Sequence, residues 1–183
     1  NKRSVTIDLR VDAGRAVLLD LARTADVFVD GFAGDALARL GVGYDDVRAV
    51  KPDIVWCQHS GFGSVGPYAA IPTHGQMMNA LAAAIPLGID DEGRAAIVDN
   101  DELMRGTTSG GEGTAVGAVH AAFHVAAALV RRARTGEGAF LDASAADAVV
   151  AAGWVGATYG LNEHRLTDRR GLRNRSEKPF RRR

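Results

Sequence analysis

The first sixty residues alternate short β-rich runs with helical stretches, and this alternation constrains the fold more than any other feature. Residues 4–9 (SVTIDL) alternate β-branched and polar side chains with the period of two that a strand requires. Asp12 then offers an N-cap, and Val17, Leu18, Leu21 and Ala22 recur at helical spacing as far as Ala25. Residues 26–30 (DVFVD) predict a second strand, residues 36–40 a short helix closed by Gly41, and residues 44–50 another helix. Pro52 stops that helix, and residues 53–58 (DIVWCQ) predict a third strand. Strands joined through helices run parallel, so the pattern predicts an α/β fold: a Rossmann-like parallel sheet with right-handed crossovers.

Beyond this the pattern changes. Residues 61–72 are turn-rich, 74–87 read as an Ala-rich helix, and 88–113 as a polar loop. A long helix is expected over 114–134, a turn over 135–138, a strand over 139–142 and a helix over 143–159. Residues 1–160 are therefore assigned to one large α/β domain and 161–183 to a linker or basic tail. No repeat or heptad seam interrupts this organisation.

Composition excludes several function classes. Lys plus Arg total 22 and Asp plus Glu total 22, so the whole-chain charge gives no reason to expect nucleic acid or an acidic membrane. Residues 161–183 carry nine Lys/Arg against three Asp/Glu, but no interleaved aromatics that would suggest an RNA site. The single cysteine, Cys57, excludes an internal disulfide framework and a Cys-rich zinc site, and makes a reduced cytoplasmic setting the simplest expectation. The opening NKRSVTIDLR has no apolar h-region. The longest apolar stretch, residues 113–130, is built of Gly and Ala and interrupted by His120 and His124, as suits a packed helix rather than a membrane span. The chain starts without Met and ends on RSEKPFRRR, so it is expected to be a piece of a longer protein with an altered tail.

Three motifs carry possible chemistry. Residues 61–66 (GFGSVG) match the dinucleotide pattern GxGxxG after a strand, but Pro67 and Tyr68 follow where a pyrophosphate-binding helix should start. A glycine-lined loop beside a ligand is the better reading. His120 and His124 have the i, i+4 spacing of a metal pair, yet no Glu follows the first His and no third ligand is evident, so no metal is expected. Asp99, Asp101 and Glu102 lack the twelve-residue geometry of a calcium loop and read as solvated. Cys57, in a buried-strand pattern, reads as a small apolar thiol.

Read in order, several segments resemble the family III CoA-transferases, which include formyl-CoA and carnitine CoA-transferases and the related α-methylacyl-CoA racemases. NKRSVTIDL at residues 1–9 is similar to that family's NKRS-x-x-LDL, and ADVFVDGF at 25–32 to its ADV-x-VENF. RLGVGY at 39–44 is similar to its RLGLGY, and residues 52–67 to its NP…SGFG-x-x-GP stretch. RTGEG at 134–138 with Asp142, Ser144 and Asp147 resembles its RTG-x-GQ-x-(V/L)D-x-S-x-x-DA. The family's NF-x-PG is replaced here by Gly31-Phe32-Ala33-Gly34-Asp35.

The resemblance implies a Rossmann-like large domain leading toward a second, smaller domain, and two interlocked copies of the chain. It implies coenzyme A or acyl-CoA as substrate, a carboxylic acid as acceptor and no tightly bound cofactor. Ile7, Leu9, Arg10, Phe32, Ala36, Arg39 and Leu40 fall on the family's CoA-contacting positions, and Arg10 and Arg39 suit phosphate bidentately. The family's transferases use an Asp just before the long Ala-rich helix. Here that place holds residues 109–114 (SGGEGT), with Glu112 as the carboxylate able to act as nucleophile. His74, in Pro72-Thr73-His74-Gly75, falls where the racemases carry a proton-moving His, and is expected as a pocket acid/base. Backbone N–H groups around Gly61, Gly63 and Gly113 are expected to hold the thioester oxyanion. The function so implied is CoA transfer; racemisation of a 2-methylacyl-CoA and CoA binding without catalysis are the alternatives.

Overall fold

The computed structural model describes residues 2–73, 76–82, 87–89, 91–97 and 112–154. Its elements fall in one compact unit, Asn1–Ala152. In chain order they are α1 (Asp12–Arg23), β1 (Val27–Asp30), α2 (Ala36–Arg39), α3 (Tyr44–Val50), β2 (Val55–Ser60), α4 (Gln76–Leu81), β3 (Leu87–Ile89), β4 (Ala95–Ile97), α5 (Glu112–Thr135), β5 (Ala139–Ser144) and α6 (Ala145–Ala152).

A parallel sheet of order β1-β2-β5 is the frame, and with its helices it makes the α/β architecture that the alternating pattern predicts. The register sets Phe28 beside Trp56 and Trp56 beside Phe140, an aromatic row across all three strands. Phe28 and Trp56 stack with centroids 4.4 Å apart, and Tyr44 of α3 lies edge-on to Trp56 and Phe140. Around this row, Ala22, Leu37, Val42, Val47 and Ile54 form the main core, which joins α1, α2 and α3 to one sheet face.

The other face takes α5. Gly113, Gly117, Ala121 and Ala128 form its buried stripe, and Ala121 packs with Cys57 and Ala143. The stripe is made of small residues because the helix lies very close: a Cβ on Gly117 would come within 2.9 Å of both Ala145 Cβ and His59 Cε1. By length and hydropathy α5 would also serve as a membrane span, but here this face is packed on the sheet. At its carboxyl end Gly136, with φ +74°, donates its N–H to the Arg132 carbonyl and closes the helix.

The structure corrects several sequence expectations. Residues 4–9 alternate like a strand but have no ladder partner among the described residues, and period-two patterning alone supplies no neighbour. Val11, not Asp12, is the N-cap of α1; Asp12 sits in the first turn, where the helix dipole favours a carboxylate, and pairs with Arg15. Of the helix expected over 74–87 the structure describes Gln76–Leu81, while residues 74–75 and 83–86 lie outside the described residues and Leu87 begins β3. The expected polar loop over 88–113 contains the antiparallel pair β3–β4, turned at Gly93 with φ +78°. The third strand begins and ends two residues later than expected, and the last helix starts at Ala145 because Ala143 and Ser144 continue β5.

Candidate functional site

One pleat beyond the aromatic row, the same register aligns Asp30, Gln58 and Asp142 across the carboxyl ends of the three strands. Ligands of open parallel sheets gather at this edge, and here each polar residue organises a loop. Asp30, 4% exposed, accepts the Phe32 N–H at 2.9 Å and shapes the β1–α2 turn. Burial pushes its carboxyl above the ordinary value, with the Phe32 N–H partly offsetting. Gln58 donates from Nε2 to the Gly34 carbonyl at 2.6 Å in that turn. Asp142 accepts from the Ser64 N–H at 2.9 and 3.0 Å and from its hydroxyl at 2.6 Å, so it holds the glycine loop. Gly63 and Gly66 turn that loop at φ +84° and +99°, conformations that side chains resist.

The two loops meet, with Gly34 packed near Ala69 and Ala70. Between them opens a cavity of about 710 Å3 whose lining includes Asp30, Asp35, Asp45, Asp46, Gln58 and Ser64. With four carboxylates and no Lys or Arg in its lining, its electrostatics oppose a phosphate there.

The glycine loop also meets the start of α5. Cβ atoms on Gly61 and on Gly113 would each fall 3.4 Å from Met78 of α4, so these two predicted glycines flank one buried side chain. Gly61 lies against Thr73 and accepts the Ala146 N–H at 3.0 Å, while Gly113 lies against the Asn79 amide. Ser60, Thr73 and Asn79 bring buried side-chain polar atoms to this junction with no hydrogen-bond partner among the described residues. Asn79 is 1% exposed and leaves both amide atoms unpaired, which ordinarily costs about 1–3 kcal/mol per group. These three residues and Asp30, Gln58 and Asp142 were not singled out from the sequence as site residues. The available signal was the repeat of aromatic, apolar and polar residues in Phe28-Val29-Asp30, Trp56-Cys57-Gln58 and Phe140-Leu141-Asp142.

Among the other predicted residues, Glu112 is the first residue of α5, at the sheet edge where Gly113 meets Asn79; its side chain lies outside the described residues. His74, Gly110, Gly111 and the acidic residues Asp99, Asp101 and Glu102 also lie outside them. Leu9 and Leu40 both pack on the main core, and Arg15 ties their segments by donating to the Leu9 carbonyl at 3.0 Å while lying against Gly41. Ile7 and Ala36 are half-buried and Phe32 is 57% exposed. Arg10 forks onto Asp8 through bonds of 2.9 Å, and Arg39 pairs with Asp35 one turn back. Both ion pairs are exposed to solvent, which screens them.

His120 and His124 touch edge-on at 4.7 Å, both exposed, and no third metal-ligating side chain joins them among the described residues. Cys57 is 1% exposed; burial first, and the Asp142 charge second, raise its thiol above the ordinary value.

Comparison with known proteins agrees with this architecture. Residues 1–182 match the family described as CoA-transferase family III. The chain is 30% identical over 146 residues to a succinate–glutarate CoA-transferase of Agrobacterium fabrum, covering 80% of this chain and 34% of that protein. It is 32% identical over 138 residues to a formyl-CoA:oxalate CoA-transferase of Streptomyces coelicolor, covering 75% and 31%. The crystal structure of Rv3272 from Mycobacterium tuberculosis superposes with a TM-score of 0.67 at 27% identity, over 87% of this chain and 42% of that one. A CAIB/BAIF family protein from Brucella suis gives 0.65 at 25% identity, over 91% and 40%. The chain thus spans about a third of the length of the curated relatives it matches.

Proposed function

The chain belongs to CoA-transferase family III, and on that premise we propose that it carries the nucleophile-bearing part of an enzyme that moves coenzyme A between an acyl-CoA thioester and a carboxylic acid. The observation that carries this reading is the meeting of the glycine loop and the start of α5 around Met78, at the carboxyl ends of the parallel strands.

The Glu112 carboxylate attacks the thioester carbonyl, the C–S bond breaks, and a mixed anhydride and the CoA thiolate result. That thiolate attacks the Glu112 carbonyl of the anhydride, releasing the first acid and leaving a glutamyl-CoA thioester. The acceptor carboxylate then attacks this thioester to form a new anhydride and thiolate, and attack of the thiolate on the acceptor's acyl carbon yields the new acyl-CoA and restores Glu112. Each step exchanges one acyl bond for another, so no oxidant or metal is needed. The first position of a helix favours the anionic nucleophile. Backbone N–H groups of the glycine loop, with the unpaired polar atoms of Ser60, Thr73 and Asn79 nearby, suit the oxygen that gains charge in each tetrahedral intermediate. Arg10 and Arg39, on the exposed side of their segments, are the cations we assign to the phosphates of CoA.

The test is mass spectrometry of the intact protein after incubation with acyl-CoA and hydroxylamine. A hydroxamate on Glu112 supports transfer. Deuterium uptake at the acyl α-carbon without an adduct replaces transfer with racemisation, and calorimetric CoA binding with neither product reduces the protein to a binder.

A further inference from the structure

The acidic cavity at the carboxyl edge of the sheet carries no step of the transfer chemistry, yet side chains buried in its wall hold polar atoms that nothing satisfies. Its volume of about 710 Å3 lies within the roughly 300–1,000 Å3 of cavities that hold small organic ligands. Asp30, Trp56 and Gln58 line it from neighbouring strands, and each is no more than 5% exposed. Asp30 spends one oxygen on the Phe32 N–H, and Gln58 spends its Nε2 on the Gly34 carbonyl. The other Asp30 oxygen and the Gln58 oxygen meet no donor among the described residues, and the Trp56 indole N–H meets no acceptor. Asp35, Asp45 and Asp46 add their carboxylates to the same lining. Arg39 already pairs with Asp35, and Asp46 accepts the Gly43 N–H at 2.9 Å, which leaves Asp30 and Asp45 to meet an incoming charge.

We propose that this cavity binds a small organic cation, an ammonium or guanidinium compound that also carries an uncharged oxygen, at a site separate from that of coenzyme A. The proposal does not depend on the CoA-transfer reading. Buried acceptors without donors are costly, and a ligand that brings its own N–H groups satisfies them while its charge answers the carboxylates. The uncharged oxygen supplies the acceptor that the Trp56 N–H lacks. An anionic ligand is repelled by the same carboxylates. A bare divalent ion fits less well, because it needs several ligands converging on one point, and no group of three metal-ligating side chains occurs among the described residues. The rings of Tyr44, Trp56 and Phe140 in the lining also favour a cation. Tyr44 already attracts one, since the Arg48 guanidinium stands 6.0 Å from its ring centroid.

The test is a titration of the intact chain, at fixed ionic strength, with N-acetylputrescine and with its uncharged analogue N-butylacetamide. Calorimetry reads affinity, and the Trp56 indole N–H resonance, assigned with Trp154→Phe, reads location. The expected result is that N-acetylputrescine moves that resonance and binds about tenfold tighter than N-butylacetamide, or more. Asp30→Asn keeps an oxygen for the Phe32 N–H and removes only the charge, and is expected to weaken the amine about tenfold. Asp45→Asn, at an exposed position, is expected to weaken it in the same direction without touching the core. Asp20→Asn, on α1 and outside the lining, removes an equal charge and is expected to leave affinity within about twofold. No binding, equal binding of amine and amide, unchanged affinity in both cavity variants, or an equal loss in Asp20→Asn overturns the proposal. Displacement of the amine by MgCl2 at matched ionic strength also overturns it, by making the cavity a metal site. Displacement by coenzyme A overturns it as well, by making the cavity part of the coenzyme groove. Selective amine binding in a protein that transfers no CoA supports the cavity and counts against the transfer reading alone.

Discussion

Asp142 holds the glycine loop from the neighbouring strand, so replacing it isolates the contribution of that loop to catalysis. Its carboxylate accepts from the Ser64 N–H and the Ser64 hydroxyl, the latter at 2.6 Å. Hydrogen bonds to a charged acceptor contribute about 1.5–3 kcal/mol each when buried. Asp142 is exposed and Ser64 half-buried, so solvent screening reduces the two bonds to about 2 kcal/mol in total. Asp142→Ala should therefore increase opening of the loop about 30-fold, at 1.36 kcal/mol per decade. Amide hydrogen exchange at Ser64 reads that change directly. If loop N–H groups stabilise the thioester oxyanion, kcat/KM for CoA transfer falls by up to the same factor, while global stability falls by no more than the same ~2 kcal/mol. Asp142→Asn keeps one acceptor oxygen and should fall between Ala and the parent. Faster Ser64 exchange with unchanged kcat/KM would remove the glycine loop from the mechanism.

Gly117→Ala forces a Cβ to 2.9 Å from Ala145 and His59; overpacking of about 1–3 kcal/mol outweighs the roughly 1 kcal/mol gain in helix propensity. Calorimetry should show Tm lowered by several degrees, and an unchanged or raised Tm would contradict the close packing of α5. Asp30 is a buried carboxyl with a raised pKa, so the fold binds its proton more tightly than the unfolded chain does. Stability from this group is complete below the unfolded value near 3.8 and is lost as pH rises through the folded value. Asp30→Asn keeps an oxygen for the Phe32 N–H and should gain stability over the parent at pH 7, the difference vanishing below pH 3.8; urea melts across that range that show no such convergence would contradict the assignment. Cys57, buried and with its thiol pKa raised, should resist iodoacetamide in the native protein and react fully in denaturant; labelling at the rate of a free thiol would show that the sheet face opens.

The strands most legible in the sequence were those whose side chains fit a buried pleat, with Trp56 and its neighbours the clearest. The alternation in residues 4–9 was as regular, yet a strand also needs a partner edge, which no local pattern can guarantee. The turn at Gly93, with its positive φ, creates a hairpin inside what reads as a polar loop. The glycine loop was visible as GFGSVG, and Pro67 correctly argued against a dinucleotide helix, since residues 67–70 form a turn. Its anchor was not visible, because Asp142 lies 78 residues from Ser64 and is brought near only by parallel register. Separation along the chain likewise hid the encounter of Gly61 with Gly113 around Met78.

At the amino end of the strands Arg132 of α5, 18% exposed, binds Asp26 at 2.6 Å, reaches Asp53 at 3.7 Å, and donates to the Asp26 and Asp53 carbonyls at 3.2 and 3.4 Å. One guanidinium thus fastens the helix to the starts of both β1 and β2. The aromatic row fills the middle. Ser60 and Asn79 hold buried polar atoms without a hydrogen-bond partner among the described residues beside the start of α5, as does the Trp56 indole nitrogen within the aromatic row, each a local cost to stability.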